Sequence, residues 1–218
     1  WPPARPAPCT TRPIPTACWA AASLRARHRL SDPLHLAART GLPGDWLYLR
    51  EQFPRDRWNA ASLPPIAGHW LQMHDGFRRQ ADQMTALTTA FRADPADPNG
   101  LHRALIPLLQ AFLQHLDGHH RVESGHYFPA FRTLEPRIAE GIDLLDRDHD
   151  AVHAHLEAML NAGRAFHMAV SAGAPDAADA AHRLADALDA ALPALARHLD
   201  DEEDIVIPLL ALKGEAIG

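Results

Sequence analysis

Cysteine is scarce in this 218-residue sequence, which has only Cys9 and Cys18. No residue after Cys18 can therefore take part in a disulfide framework or a thiolate metal site. A Cys9–Cys18 bridge is the one disulfide that the sequence allows. This cysteine usage fits a reducing compartment, and we expect a cytoplasmic protein.

Long hydrophobic runs and an excess of positive charge are also missing. No apolar run approaches the ~20 residues that a membrane span needs. The net charge is −6, with 21 Lys and Arg against 27 Asp and Glu, which argues against a phosphate-backbone partner. We therefore expect neither a membrane nor a nucleic-acid partner, and the sequence leaves the oligomeric state open.

The first 31 residues contain no acidic residue and are rich in Pro, Ala, Arg and Thr. Their prolines oppose helix formation, so we predict a disordered N-terminal extension or a leader over residues 1–31. Residues 32–65 form an irregular lead-in in which LPGDWLYLREQFP predicts one short helix. We expect that helix to pack Trp46, Leu47 and Leu49 on the main body.

From residue 66 onward, apolar residues recur at helical spacing. The pattern predicts four long amphipathic helices, over residues 66–92, 100–131, 136–170 and 176–211. Strand signals are lacking, so we predict an all-α, up-down-up-down four-helix bundle over residues 66–212. Pro107 and Pro193 fall inside predicted helices, where we expect kinks or 3₁₀ turns. Large apolar side chains, Trp70 among them, are expected to form ordinary core.

Histidine is abundant, with 15 residues, nearly all after residue 68. Two segments, HHRVESGHYFPAF and HLDDEEDIVIPLL, repeat one phrase: a histidine, a carboxylate four residues later, and then a proline. Residues four apart share a helix face, so each copy directs an imidazole and a carboxylate toward one point. Three pairs of residues align: His119 with His198, Glu123 with Glu202, and Pro129 with Pro208.

Two further helices add histidines to these repeats, namely His74 on the first and His149 with His153 on the third. In an up-down-up-down bundle, a rise of ~1.5 Å per residue places the four helices' histidines within a slab of roughly 8 Å. Imidazole and carboxylate suit iron and other first-row divalent metals. Five histidines and two bridging carboxylates can hold two octahedral iron ions; the set is His74, His119, Glu123, His149, His153, His198 and Glu202.

Other histidines crowd the second helix. His115 lies one turn before His119 and is either an outer donor or simply packed. His120 lies ~100° around the helix from His119, which favours an exposed or interhelical position. We count His115, His120, His126 and Glu203 as possible additional metal ligands. His126 is only ~20° from the His119 direction, about two turns farther along, so we expect it in the pocket wall or at a metal ion.

The acidic run DDEED combines a site residue with residues of a solvated helix face. Glu202 shares a face with His198, whereas Asp200, Asp201 and Asp204 are expected to lie in water.

The pattern H…HxxxE…HxxxH…HxxxE, with FP or IP after each carboxylate, resembles the hemerythrin-like (HHE cation-binding) family over roughly residues 66–212. The resemblance implies a four-helix bundle with a non-heme di-iron centre. It implies one iron on His149, His153 and His198 and the other on His74 and His119, with Glu123 and Glu202 bridging. Oxygen-carrying hemerythrins place the last carboxylate five residues after its histidine, here Glu203. We prefer Glu202, the bacterial spacing, because it preserves the internal repeat.

The leading functional hypothesis is a di-iron protein that binds O₂ or a related small ligand at an open iron position, for oxygen binding or sensing, iron handling or stress defence. We expect a binding protein rather than an enzyme, and other divalent metals suit the same ligands.

One alternative is a ferritin-like di-iron oxidase or peroxidase, which needs two Glu-x-x-His motifs. This chain has one, Glu123-x-x-His126, and Ile205 stands where the second would end. Another is a signalling module whose metal stabilises the bundle.

Overall fold

The computed structural model describes residues 32–59 and 61–216. Helices, turns and irregular segments make up these ranges, and no strand occurs in them. Residues 1–31, with the predicted extension and the Cys9–Cys18 pair, lie outside the described residues. Residues 32–39 belong to a separate N-terminal unit, and the bundle and its site lie within residues 40–216.

The lead-in is short and helical. Its helical elements are a 3₁₀ turn at Gly44–Trp46, helix α1 at Tyr48–Gln52 and a second 3₁₀ turn at Arg55–Arg57. Leu47 and Leu49 are buried and join the hydrophobic core of the bundle. Of the three residues expected to pack on the main body, Leu47 and Leu49 belong to its core, and Trp46 is half-buried.

The bundle is built from four long helices and one short helix. They are α2 (Pro65–Ala93), α3 (Pro98–Val122), α4 (Phe128–Leu134), α5 (Ala139–Ser171) and α6 (Ala177–Lys213). Helix α2 packs on α3 and α6, and α5 packs on the same two helices, which closes a four-helix ring. The all-α bundle is thus confirmed. No helix within the described ranges is long and apolar enough to cross a membrane.

Local sequence signals set the helix ends. Asp97 caps α3, because its Oδ1 accepts a hydrogen bond of 2.7 Å from the Gly100 N–H, and Pro98 follows at the first helical position. After α5, Gly173 adopts φ = 60°, a left-handed conformation that glycine adopts without steric cost. These two signals keep the links between the helices short.

A π-helical turn at Glu123–Tyr127 separates α3 from α4. Its defining bond runs from the Phe128 N–H to the Glu123 carbonyl, five residues back. Pro129 follows directly; it has no N–H to give, and its ring crowds the carbonyl four residues earlier in a regular α-helix. The widened turn accommodates Pro129 without ending the helix.

The other prolines inside the bundle helices do not act in this way. Pro107 lies within α3, and Pro193 and Pro208 lie within α6, and the α-helix runs through all three. The 3₁₀ turns expected at Pro107 and Pro193 are therefore absent. The departure from α-helix comes instead beside Pro129.

Helix α5 approaches α6 closely at Gly141. A Cβ atom there would lie 2.7 Å from Ile205 Cδ1 and 3.4 Å from Trp46 Cε3, and both Gly141 and Ile205 are buried. Gly141 therefore permits α5, α6 and the lead-in to meet at one point.

We predict that Gly141→Val destabilises the protein by about 1–3 kcal/mol, because it overpacks a filled core. Gly68 on α2 provides the matched control, since a Cβ there meets nothing within 4 Å. Valine and glycine are both weak helix formers, so Gly68→Val should change the free energy of unfolding little. Urea unfolding of both variants measures the difference; equal stabilities would contradict the close packing at Gly141.

Candidate metal centre

Two groups of mostly buried donor residues lie between the four long helices. Within each group, one nitrogen or carboxylate oxygen per residue lies within 4.8 Å of every other. The first group contains only imidazoles, and the second combines imidazoles with carboxylates. The first is His120, His149 and His198; the second is His74, His119, Glu123 and Glu202.

Glu123, the first residue of the π turn, lies between the two groups. Its Oε1 is 2.8 Å from His119 Nε2 in the second group. Its Oε2 is 3.5 Å from His149 Nε2 in the first group. The Glu123 side chain is 1% exposed, so water does not compete with these contacts.

Glu202 makes the same kind of link from α6. Its Oε1 is 3.4 Å from His74 Nε2, and its Oε2 is 3.3 Å from His198 Nε2. Oε1 also accepts a 2.6 Å hydrogen bond from the Trp70 indole N–H. Trp70, expected to be ordinary core, thus fixes one carboxylate of the site.

The groups contain buried polar atoms that have no hydrogen-bond partner. Buried polar groups are normally paired, because leaving one unpaired costs about 1–3 kcal/mol. A divalent cation would satisfy several of these lone pairs at once, and nitrogen and oxygen donors without thiolate suit iron and its first-row neighbours. The residues therefore fit a metal site. The atoms are Nε2 of His120 and His149, both ring nitrogens of His198, both carboxylate oxygens of Glu123, and Oε2 of Glu202.

Electrostatics keep most of the imidazoles in the neutral form that binds metals. Burial lowers the pKa of His119 to about 4, although Glu202 acts in the opposite direction. Burial, reinforced by His198, lowers the pKa of His149 to about 4. Burial also holds the pKa of His120 well below its ordinary value. Each of these three side chains is therefore neutral at pH 7 and has one ring nitrogen with a free lone pair.

The pKa values of the two carboxylates, Glu123 and Glu202, are shifted in opposite directions. Burial and the nearby Glu202 raise the pKa of Glu123 well above its ordinary range. Burial would raise the pKa of Glu202 too, but His74 and His198 outweigh it and hold that pKa well below its usual range. Burial lowers the pKa of His74, but Glu202 and Glu203 outweigh it and raise that pKa to about 9. Metal binding must therefore displace protons from the site.

Outer partners orient two of the imidazoles. The His74 Nδ1–H donates to Glu203 Oε1 at 3.0 Å, and that oxygen also accepts from Arg78 at 2.7 Å. Because an ionised carboxylate only accepts, His74 Nδ1 carries a proton, and Nε2 faces the donor group. Such carboxylate–histidine pairs fix the tautomer and direction of metal-binding histidines.

A hydroxyl does the same for His149. The Ser124 hydroxyl donates to Asp146 Oδ1 at 2.6 Å and lies 2.9 Å from His149 Nδ1. Since its only proton goes to Asp146, the oxygen accepts from the His149 Nδ1–H. Arg132 holds Asp146 in place by donating a 2.8 Å hydrogen bond to its Oδ2. Nε2 of His149 is left for the donor group.

The family model of the hemerythrin HHE cation binding domain matches residues 66–210. The chain belongs to this family. No curated protein and no solved structure gave a match. Membership supports a cation as the occupant of the two donor groups in this hemerythrin domain and leaves the choice of cation to experiment.

The hemerythrin domain departs from the predicted ligand set at His153. This side chain is 58% exposed and lies 3.5 Å from Glu157 and 3.9 Å from Asp117, outside both groups. Buried positions of α5 fall on one side of His149, with Val152 about 60° away in that direction. His153 lies about 40° to the other side, which turns it toward solvent.

His120 occupies the position that His153 was expected to fill. The buried stripe of α3 passes through Leu109, Phe112 and Leu116. His119 lies about 60° to one side of Leu116 and His120 about 40° to the other, so α3 sends one imidazole to each group. His120 is 7% exposed, and its ring stacks on His149 at 4.1 Å. The phase of this stripe is the sequence signal that would have identified it.

The remaining candidate residues lie outside the donor groups. His126 is exposed and packs against Tyr127, because the π turn advances by less than 100° per residue and shifts its direction. His115 is also exposed. Glu203 is an outer partner of His74, as described above. The expectation that Asp201 and Asp204 remain in water is wrong, since they are 1% and 9% exposed; Asp200, with its side chain 43% exposed, does reach solvent.

A cleft of about 410 Å³ lies between α2 and α3 and reaches the second donor group. His119 and Glu123 form its inner end, and Trp70 and Tyr127 lie along its mainly apolar wall. His115 and Gly118 belong to the α3 side.

Metal content should separate the two histidines on which sequence and structure differ. We predict that His120→Ala lowers the metal bound per chain, because it removes a donor from the three-histidine group. His153→Ala is the matched control and should leave the metal content at the parent value, because its ring lies outside both groups. Elemental analysis of folded protein loaded with ferrous iron measures both. A loss confined to His153→Ala would contradict this assignment.

Proposed function

We propose that this hemerythrin HHE protein is a non-heme di-iron protein that binds O₂ or a related small ligand. One observation carries the proposal: two buried carboxylates, Glu123 and Glu202, each contact a histidine of both donor groups. Carboxylates placed in this way are suited to bridge two ions. The proposed ligands are His120, His149 and His198 for one ion and His74 and His119 for the other, with Glu123 and Glu202 shared.

The two proposed sites differ in their number of imidazole ligands, and a cleft reaches one of them. The group with His120 has three imidazoles, whereas the group with His74 and His119 has two. The cleft reaches the two-histidine group at His119 and Glu123. Open coordination positions carry function in metal proteins, so we propose that the ligand binds on this side.

When bound, ferrous iron would supply reversible coordination of O₂ or another small electron-accepting ligand. The protein contributes the mainly apolar wall of the cleft, which limits water near the site. Trp70 holds Glu202, and Glu203 holds His74, so the donor atoms need little rearrangement. We also propose a cytoplasmic location, which the cysteine usage supports.

The geometry favours binding over a ferritin-like oxidase. Such enzymes use two Glu-x-x-His motifs whose histidines project inward. The single motif of this chain ends at His126, and that side chain is exposed. His126 therefore cannot complete an inward-facing pair with Glu123.

We predict two iron ions per chain in protein loaded anaerobically with ferrous iron, and a charge-transfer band that appears with O₂ and disappears on its removal. Elemental analysis and absorption spectra measure these. One ion or none in folded protein would contradict the di-iron proposal. Peroxide turnover would favour an enzyme, and no optical response would favour a metal that only stabilises the bundle.

Removal of the metal by a chelator should lower the melting temperature, because metal binds the folded state. The free energy of unfolding should fall by ~4 kcal/mol relative to protein in which free metal is ~1,000-fold above its dissociation constant.

The cleft yields a separate prediction. Gly118 lies in its wall on α3, and a Cβ there meets nothing within 4 Å, so Gly118→Leu should fill part of the entrance without straining the helix. Iron content should stay at the parent value, while azide should associate with the ferric protein several-fold more slowly. Gly68→Leu is the control, because Gly68 is not part of the cleft lining and has the same free space. Stopped-flow absorbance gives the rates; equal rates in all three proteins would show that ligands enter elsewhere.

A further inference from the structure

Residues 44–58 of the lead-in precede the part of the chain that the family model matches, residues 66–210. They nevertheless contact the acidic run of α6. Arg50 Nη1 lies 2.5 Å from Asp204 Oδ2, and Arg55 Nε lies 2.7 Å from Asp204 Oδ1. Two guanidinium groups from outside the family domain thus hold the buried carboxylate of Asp204.

Arg55 extends beyond Asp204 to the neighbouring residues of α6. Its Nη2 donates to the Asp200 carbonyl at 2.9 Å, and its Nη1 lies 3.5 Å from Glu203 Oε2. Arg78 Nη1 holds the other oxygen, Oε1, at 2.7 Å. The two oxygens of Glu203 therefore each face a guanidinium, one from α2 and one from the lead-in.

Glu203 is the outer partner of a proposed metal ligand. Its Oε1 accepts the His74 Nδ1–H at 3.0 Å, and the Glu203 side chain is only 4% exposed. Rotation of this carboxylate would turn the His74 ring and move Nε2 away from Glu202, which lies 3.4 Å from it. Whatever fixes Glu203 therefore fixes the direction of His74.

The lead-in presents Arg55 in a prearranged position. Its guanidinium lies 4.7 Å from the centre of the Trp58 ring, within the range of a cation–π contact. The Trp58 indole N–H donates to the Phe53 carbonyl at 3.1 Å. Arg57, two residues on, instead donates to the Gln52 carbonyl at 3.3 Å and lies over the Phe53 ring, 4.7 Å from its centre.

We propose that the lead-in helps to position a ligand of the metal centre. In this proposal Arg55 is a positioning residue that acts on His74 through Glu203. This inference rests on the proposed metal centre. Outer partners of this kind change metal affinity by about 10–100-fold when they are removed. Because Arg55 is one of two guanidinium groups on Glu203, we expect Arg55→Gln to weaken metal binding by about tenfold, the lower end of that range.

The experiment measures ferrous iron affinity by competition with a chelator, together with the cobalt(II) absorption spectrum and the unfolding of metal-free protein. The variants are Arg55→Gln, Glu203→Gln and their combination. Arg57→Gln is the matched control on the same segment. We expect Arg55→Gln to weaken iron binding and change the cobalt spectrum. The double variant should bind no more weakly than Glu203→Gln alone, since the two residues act in series.

Two outcomes overturn the inference. They are parent-like affinity in Arg55→Gln and a double variant whose loss is the product of the single losses. In the second case Arg55 acts through the fold rather than through Glu203. Failure of the proposed function is distinguishable, because the parent protein itself would then bind no iron and give no cobalt spectrum.

Discussion

Two carboxylates withdrawn from water, Glu123 and Glu202, set the constraint on which the rest of the site depends. An ionised carboxylate in a protein interior costs several kcal/mol unless opposite charge or hydrogen bonds compensate it. Here the compensation comes from His74, His198 and the Trp70 indole, and for Glu123 from retention of a proton. A cation between the same donors would replace those protons, so folding of the bundle and metal binding involve the same atoms.

Regular helix made much of this arrangement predictable. The spacing of His198 and Glu202 holds because α6 runs without interruption from Ala177 to Lys213, so residues four apart do share a face. The same rule applied to His149 and His153 is correct about their spacing but not about which side of the pair faces the core. That side is decided by the neighbouring apolar positions, such as Val152, and not by the histidines themselves. A motif gives the separation of two ligands, and the apolar stripe gives their direction.

Other features could not be read from local sequence, because their partners are far away along the chain. The acidic run of α6 has the composition of a solvated face, yet Arg50 and Arg55 approach it from about 150 residues earlier. Trp70 has the composition of core, and its bond to Glu202 spans 132 residues. In each case a polar group is satisfied by tertiary contact, which periodicity within one helix does not report.

The π turn connects the register of the site to the register of the core. Before it, the inward positions of α3 lead through Leu116 to Glu123; after it, Phe128 and Phe131 are fully buried. An uninterrupted α-helix that kept Glu123 inward would bring Tyr127 inward next, instead of Phe128. The turn thus acts as a one-residue insertion relative to a regular helix. Deleting one residue from the π turn would leave either Glu123 or the aromatic pair Phe128 and Phe131 facing inward, but not both. The second copy of the motif lies on an uninterrupted α6, where the carboxylate and the core residues share one helical register.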